Sequence, residues 1–316
     1  MTRRTTLATL TALSGALMLG AGLPVAAQPL PQVATGRIER LENFVSLHVA
    51  TRHVDVWLPA GYSPARRYQV LYMHDGQMLF DPATTWNGQA WQVHLAVDQL
   101  VRSGRIADTL VVGVWNVPAL RYAEFYPQKM LARVPEPLRQ EYVQRAMGGT
   151  PRSDAYLRFL VEELKPAIDR RYSTLPGPEH TVVMGSSMGG LVSLYALAEY
   201  PQVFGGAGGV STHWVGLPTS WGPARLRNAA LPLAAFNYLQ QALPPPGQHR
   251  LYLDRGTTDL EALYAPHQAF VLELLHGRGW QAPQLMAQVA EGTGHNERDW
   301  AARVVVPLQF LLGPRP

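Results

Sequence analysis

The stretch Thr181-Val182-Val183-Met184-Gly185-Ser186-Ser187-Met188-Gly189-Gly190 decides how the rest of the chain is read. Residues 181–184 combine three β-branched residues with an apolar methionine, which predicts a buried strand. The next residues fit G-x-S-x-G, and residues 190–200 read as a helix closed by Pro201. A strand, a sharp turn and a helix in direct succession place Ser187 on the turn. Side chains two places before and after would collide there, so glycine at both places suits the geometry. The turn lifts the Ser187 hydroxyl above the sheet. It also aims the Met188 backbone N–H and the helix N-terminus at negative charge developing beside it. The plainer alternative is an ordinary Gly-rich strand-to-helix turn.

Strand and helix patterns alternate outward from this point. Residues 45–49 and 53–58 alternate apolar and polar around the link 50–52, predicting an antiparallel hairpin at the N-terminal edge. Residues 69–74, 110–114, 203–211, 250–254 and 285–290 read as further strands. Residues 90–103, 154–172, 266–277 and 296–312 read as helices. In 90–103, Trp91, Leu95, Val97 and Leu100 fall on or near one face, and Gly104 stops the helix. In 154–172, Leu157, Leu160, Val161, Leu164 and Ile168 repeat at helical spacing, with Ser153 or Asp154 as the cap. This order predicts an α/β fold: a mostly parallel, doubly wound central sheet with helices on both faces. Segments 128–152 and 212–248 are long for loops, so they are expected to carry small helices that roof a site.

Composition narrows the class. The chain has 316 residues, 47% hydrophobic and 16% charged, which excludes a disordered polypeptide. It has no cysteine. Disulfides, thiolate metal sites, a cysteine nucleophile and a lipidated-cysteine anchor are therefore excluded. Basic residues are scattered and the net charge is +4, two of which come from Arg3 and Arg4, so no nucleic-acid stripe is present. Residues 1–27 read as a secretory signal peptide. Arg3 and Arg4 form its positive start, 7–22 an uncharged apolar stretch, and Val25-Ala26-Ala27 a small-residue cleavage pattern. Thr6 stands where a twin-arginine signal expects a bulky apolar residue. The expectation is a periplasmic or secreted protein with one catalytic domain over 28–316 and no membrane association after cleavage.

A serine hydroxyl is a weak nucleophile without a base. In a chain of this organisation the acid and then the histidine follow the serine, each in a loop after a later strand. His295, after the last predicted strand, is the candidate base. The acid is expected after residues 250–254. Asp259 sits in the loop where a carboxylate reaches an imidazole, Glu261 is the alternative, and Asp254, still in the strand, is expected to orient a loop. The loop His74-Asp75-Gly76-Gln77 supplies a second oxyanion donor, assigned to the Gln77 N–H. Asp75 and Asp81 read as loop-holding carboxylates, and His74 with Asp75 is too little for a metal site. Trp214 and Trp221 are read either as cap packing or as stacking partners for an aromatic or sugar group of a substrate.

The sequence resembles the esterase family of the α/β-hydrolase superfamily, which includes enterochelin and other siderophore esterases, feruloyl and acetylxylan esterases and the esterase D type. The resemblance rests on YMHDGQMLFD from Tyr72 to Asp81, RYAEFYP from Arg121 to Pro127, and YLRFLVEELKPAIDRRY from Tyr156 to Tyr172. It rests also on the GSSMGG turn, LDRGTTDLEALY from Leu253 to Tyr264, and HNERDW from His295 to Trp300. It implies an α/β-hydrolase fold with Ser187 as nucleophile and His295 as base. The family's GT-x-x-LD pattern puts the acid at Glu261, where this chain has Glu in place of Asp. Arg121 and Glu124 match positions near the family's site, as a buried support pair or, for Arg121, as a substrate contact. The implied activity is hydrolysis of a small-molecule or glycan-linked ester without metal or organic cofactor. Acyl transfer by the same triad and a non-catalytic binding module on a hydrolase fold are the alternatives.

Overall fold

A computed structural model describes residues 28–315. The expected signal peptide, residues 1–27, lies outside the described residues. Eight strands form one sheet: β1 (Arg37–Phe44), β2 (Arg52–Leu58), β3 (Gln69–His74), β4 (Thr109–Val114), β5 (Thr181–Ser186), β6 (Gly206–Val210), β7 (Arg250–Arg255) and β8 (Leu285–Val289). Their order is β1-β2-β4-β3-β5-β6-β7-β8. β2 runs antiparallel to both β1 and β4, and all other neighbours are parallel. This is the expected α/β-hydrolase architecture.

Every residue of β3 is buried, because helices cover both faces. Val70 and Tyr72 point into one core layer, Leu71 and Met73 into the other, as the two-residue period of a strand requires. Among the described residues no helix is long and apolar enough to cross a membrane.

The N-terminal hairpin exists, but its first strand lies upstream of the expected one. β1 is Arg37–Phe44, and residues 45–51 form the link. Val45 and Leu47, which gave 45–49 its alternation, are 77% and 89% exposed. Glu163 holds this link through its contacts with the Ser46 hydroxyl and the Leu47 N–H. The real edge strand carries Arg37, Glu39, Arg40 and Glu42. Such charges protect an edge from pairing with another chain and hide it from a search for apolar alternation.

Two helices also differ in detail. The first runs Val93–Arg102, because Gln92 takes a left-handed conformation that blocks an earlier start. Leu95 in it is 40% exposed, so it does not share the buried face of Val97 and Leu100. The 154–172 helix is continuous but contains a wide-turn π segment, Phe159–Leu164, between Ser153–Arg158 and Lys165–Arg171. Pro166 follows this segment and has no N–H to give to the preceding turn. Neither Ser153 nor Asp154 caps the helix. The Ser153 hydroxyl instead accepts from the Gln128 N–H at 2.7 Å, and Asp154 accepts from the Tyr195 hydroxyl. Segments 128–152 and 212–248 carry the short helices Gln128–Leu131, Glu136–Ala146, Pro223–Leu226 and Ala230–Ala242.

Candidate active site

β5 ends at Ser186, and Ser187 joins it to the helix Met188–Glu199 with φ 58° and ψ −123°. A non-glycine residue in this region stores about 1–3 kcal/mol of backbone strain. The neighbours hold it there. The Ser187 N–H donates to Val210 O at 3.0 Å, and its carbonyl accepts from the His213 N–H at 3.1 Å. Gly185 and Gly190 are steric requirements, whereas Gly189, two places after Ser187, is not: a Cβ there would stand in ordinary contact, 3.4 Å from the His74 Cβ. A Cβ on Gly185 would stand 2.9 Å from the Gly189 carbonyl carbon, and one on Gly190 would stand 2.7 Å from Thr212 Oγ1 and 3.3 Å from the Gly209 Cα.

Ser187 and His295 line one cavity of about 930 Å³ at the carboxyl ends of the central strands, together with Asp75, Gln77, Arg121 and Trp86. His295 lies in the loop between β8 and the helix Glu297–Ala301. Its Nδ1 is 3.3 Å from Glu261 Oε1, and the Glu261 side chain is completely buried. Burial pushes this carboxyl up, but the neighbouring His295 imidazole and the Gly256 N–H that donates to it favour the charged form, so the group stays below its ordinary value. Asp259, two residues earlier, has φ 54° and is exposed to solvent. The structure therefore brings Glu261, not Asp259, to the imidazole. Asp254 accepts from the Ser211 N–H, the Tyr252 hydroxyl and the Arg303 guanidinium.

The opposite wall is the turn after β3. Asp75 sits at φ 56°, and Gly76 follows against β4, where a Cβ would come within 2.4 Å of the Gly113 carbonyl carbon. Arg121 holds Asp75 through two hydrogen bonds, Nε to Oδ1 at 2.8 Å and Nη2 to Oδ2 at 2.7 Å. The Asn116 amide donates to the same carboxylate, and the Asn116 N–H donates to Gln77 Oε1 at 3.2 Å. Burial alone would raise the Asp75 carboxyl; Arg121 and Asn116 bring it below its ordinary value. Arg121 thus braces the Gln77 turn. Glu124 does not pair with it, but forms a buried ion pair with Arg52 at 2.6 Å. Asp81 holds its loop as expected, accepting from the Ala83 and Gln32 N–H groups at 2.9 Å.

Trp214 is 1% exposed and packs on Phe236 with ring centres 5.4 Å apart. It does not line the cavity. Trp221 instead lies under Arg145, 4.4 Å from its ring centre. The aromatic walls come from residues to which the sequence reading gave no part in the site: Trp86, Tyr122 and the stacked pair Trp91–Trp300, with ring centres 5.3 Å apart. A tryptophan in the polar loop segment Thr84-Thr85-Trp86-Asn87-Gly88 was the available signal for the first. His213 also reaches the cavity wall, but its Nδ1 is 2.6 Å from the Tyr264 hydroxyl and its Nε2 2.8 Å from Leu217 O. Burial lowers it to about 3. His74 bonds the Tyr156 hydroxyl at 2.8 Å, and burial lowers it to about 4.

The fold defines an α/β-hydrolase-type protein, with a serine on the turn after the fifth strand. The sequence profile of the family described as "Putative esterase" matches residues 49–310, and the chain belongs to that family. Among individual proteins it is similar to the uncharacterized protein YbbA of Bacillus subtilis, 21% identical over 86% of this chain and 98% of that one. It is 27% identical to the ferri-bacillibactin esterase BesA of the same organism, over 52% of this chain and 55% of BesA. Its fold is similar to that of the ferulic acid esterase AmCE1/Fae1A from Anaeromyces mucronatus, with a TM-score of 0.57 and 18% identity over 90% of this chain and 92% of that chain.

Proposed function

We propose that the protein is a serine carboxylic ester hydrolase in which Ser187, His295 and Glu261 act as nucleophile, base and acid. One observation carries this reading: Ser187, strained at the head of a helix, shares a cavity with His295, whose Nδ1 faces the buried Glu261 carboxylate. Ser187 Oγ attacks the ester carbonyl carbon while His295 Nε2 takes the hydroxyl proton. The carbonyl oxygen becomes an oxyanion facing the Met188 and Gln77 N–H groups. The C–O bond then breaks, and His295 returns the proton to the departing alcohol. Water attacks the acyl-enzyme with His295 again as base, releasing the acid and restoring Ser187. The imidazolium formed twice per turnover is stabilised by Glu261, whose ionised form is already favoured. The substrate is a small-molecule or glycan-linked ester, and the place of action is the periplasm or the cell exterior, as the signal-like residues 1–27 suggest.

Hydrolysis of p-nitrophenyl acetate by the purified protein, beside a Ser187→Ala variant, tests the reading. The expected result is activity in the parent and none above background in the variant, with unchanged circular dichroism. Equal hydrolysis by both would refute the nucleophile. Release of a transferred ester in place of free acid, when alcohols are added, would reassign the reaction to acyl transfer.

A further inference from the structure

Ser187 and Glu261 come from turns after different strands, β5 and β7, and two buried residues that the reaction just described does not use join those turns. Tyr264 ends the turn Asp259–Leu263 that carries Glu261, and its N–H donates to Glu261 O at 2.9 Å. Its side chain is fully buried, and its hydroxyl lies 2.6 Å from His213 Nδ1. The other ring nitrogen of His213, Nε2, lies 2.8 Å from Leu217 O. A carbonyl only accepts, so Nε2 carries the hydrogen. Burial keeps this ring neutral, so Nδ1 is an acceptor and the Tyr264 hydroxyl donates to it. The main chain of His213 is held as firmly as its ring. Its carbonyl accepts from the Gly216 N–H at 2.9 Å, and its N–H donates to Ser187 O at 3.1 Å. Hydrogen bonds thus link the Glu261 turn to Tyr264, Tyr264 to His213, and His213 to Ser187.

We propose that Tyr264 and His213 are positioning residues that hold the nucleophile in register with its acid: the Tyr264 hydroxyl locks the His213 imidazole, and His213 holds Ser187 in its raised conformation. This inference rests on the triad reading above. Ser187 sits at φ 58° and ψ −123°, a conformation that persists only where neighbours enforce it. Proton transfer needs Ser187 Oγ, the His295 imidazole and Glu261 aligned at once, and an error of about 1 Å costs up to about 10²-fold in rate. The two residues also wall the base. The Tyr264 ring stands edge-on to His295 with centres 5.9 Å apart, and the His213 ring lies 6.4 Å from it. With both nitrogens engaged, His213 presents no free base to the cavity it lines, which leaves the Ser187 proton to His295.

The test is a Tyr264→Phe variant beside His213→Gln. Phenylalanine keeps the ring against His295 and removes the hydroxyl. Glutamine keeps an amide donor for Leu217 O and removes the Nδ1 acceptor, so both changes delete the same hydrogen bond. With p-nitrophenyl acetate, each is expected to lower kcat about 10-fold with little change in KM. Covalent labelling of Ser187 by diethyl p-nitrophenyl phosphate should slow in step. The final extent of labelling counts the folded sites, so kcat per labelled site is independent of any unfolded protein. The double variant should be no slower than the slower single one, since both act through one bond. A parent-like kcat per labelled site in Tyr264→Phe, with or without a lower melting temperature, would overturn the proposal. So would losses that multiply in the double variant, which would mean that the two residues act separately. Activity surviving in Ser187→Ala would instead remove the triad reading; an inactive Ser187→Ala with a parent-like Tyr264→Phe removes only this inference.

Discussion

His295 Nδ1 lies 3.3 Å from a carboxylate oxygen of Glu261, a side chain with no exposure to solvent. Two residues earlier on the same short turn, Asp259 is exposed. The 3-10 turn Asp259–Leu263 presents only one of its two acids to the imidazole. The choice follows from the backbone: φ 54° at Asp259 turns that residue outward, and the turn then carries Glu261 inward over the Gly256 N–H. The longer glutamate reaches the histidine from a position further along the loop.

Exchanging the acid tests this directly. Glu261→Gln keeps the shape but removes the charge that stabilises the imidazolium, and is expected to lower kcat/KM by about 10²- to 10⁴-fold. Asp259→Asn, at an exposed position, should stay within about twofold of the parent. Steady-state hydrolysis of p-nitrophenyl acetate measures both, and the reverse order would return the acid to Asp259.

Much of the architecture was legible because it rests on local pattern. The apolar run of β3, the glycines around Ser187 and the long helical repeat each state their environment in sequence. What was not legible depends on tertiary partners. β1 is an edge strand whose charges mask its period, whereas the exposed Val45 and Leu47 imitate a strand. Arg121 and Glu124 are three apart in one short helix and suggest a pair, yet each finds its partner elsewhere, Asp75 and Arg52. Trp214 looked available because its segment is irregular, but Phe236 from the helix Ala230–Ala242 covers it. Which of two acids faces a histidine depends on the phase of one turn; local spacing favoured Asp259 with Glu261 as the alternative, and the resemblance to known esterases put the acid at Glu261.

The Arg121–Asp75 clamp should govern both stability and rate. Arg121→Met leaves the mostly buried Asp75 carboxylate with Asn116 as its remaining side-chain donor. The Arg121 side chain is 24% exposed, so a fully buried pair's penalty is discounted to about 2 kcal/mol. Asp75 is held below its ordinary value in the folded protein. Its contribution to stability is therefore present above the unfolded carboxyl value and is lost as pH falls through the folded one. Denaturant titrations from neutral to acid pH should show the variant less stable at neutrality and with a shallower loss on acidification. Because Asn116 links this carboxylate to Gln77, kcat should fall as well. An unchanged midpoint and rate would show that Asn116 alone holds the turn.

His213 and His74 should make the fold acid-sensitive. Burial lowers their values from 6.5 to about 3 and about 4. Between 6.5 and these values the unfolded chain binds protons that the folded chain does not, so stability falls as pH drops through this window. The slope in denaturant midpoint against pH should flatten in His213→Gln. A slope equal to the parent's would mean that His213 is protonated in the folded state.

Trp86 is the remaining aromatic to test. Of the eight tryptophans it alone is exposed, at 83%, and it stands on the cavity wall. Its loop is pinned: Asn87 Nδ2 donates to Glu297 Oε2 at 2.8 Å, and the Gln89 N–H donates to Asn87 Oδ1 at 3.1 Å. A fixed backbone presenting an uncovered indole to the cavity that holds Ser187 offers a flat surface to the part of a substrate outside the scissile bond. Arg121, the arginine of the cavity wall, is neutralised by Asp75, which favours an uncharged group there. Trp86→Ala should leave the melting temperature unchanged, since little surface is buried. It should raise KM for methyl 3-phenylpropanoate about 2- to 10-fold, the range of one aromatic pair. Methyl propanoate, which lacks the ring, should be hydrolysed as by the parent, and Trp86→Phe should restore most of the difference. An equal loss on both esters would assign Trp86 to the loop's shape and not to substrate contact.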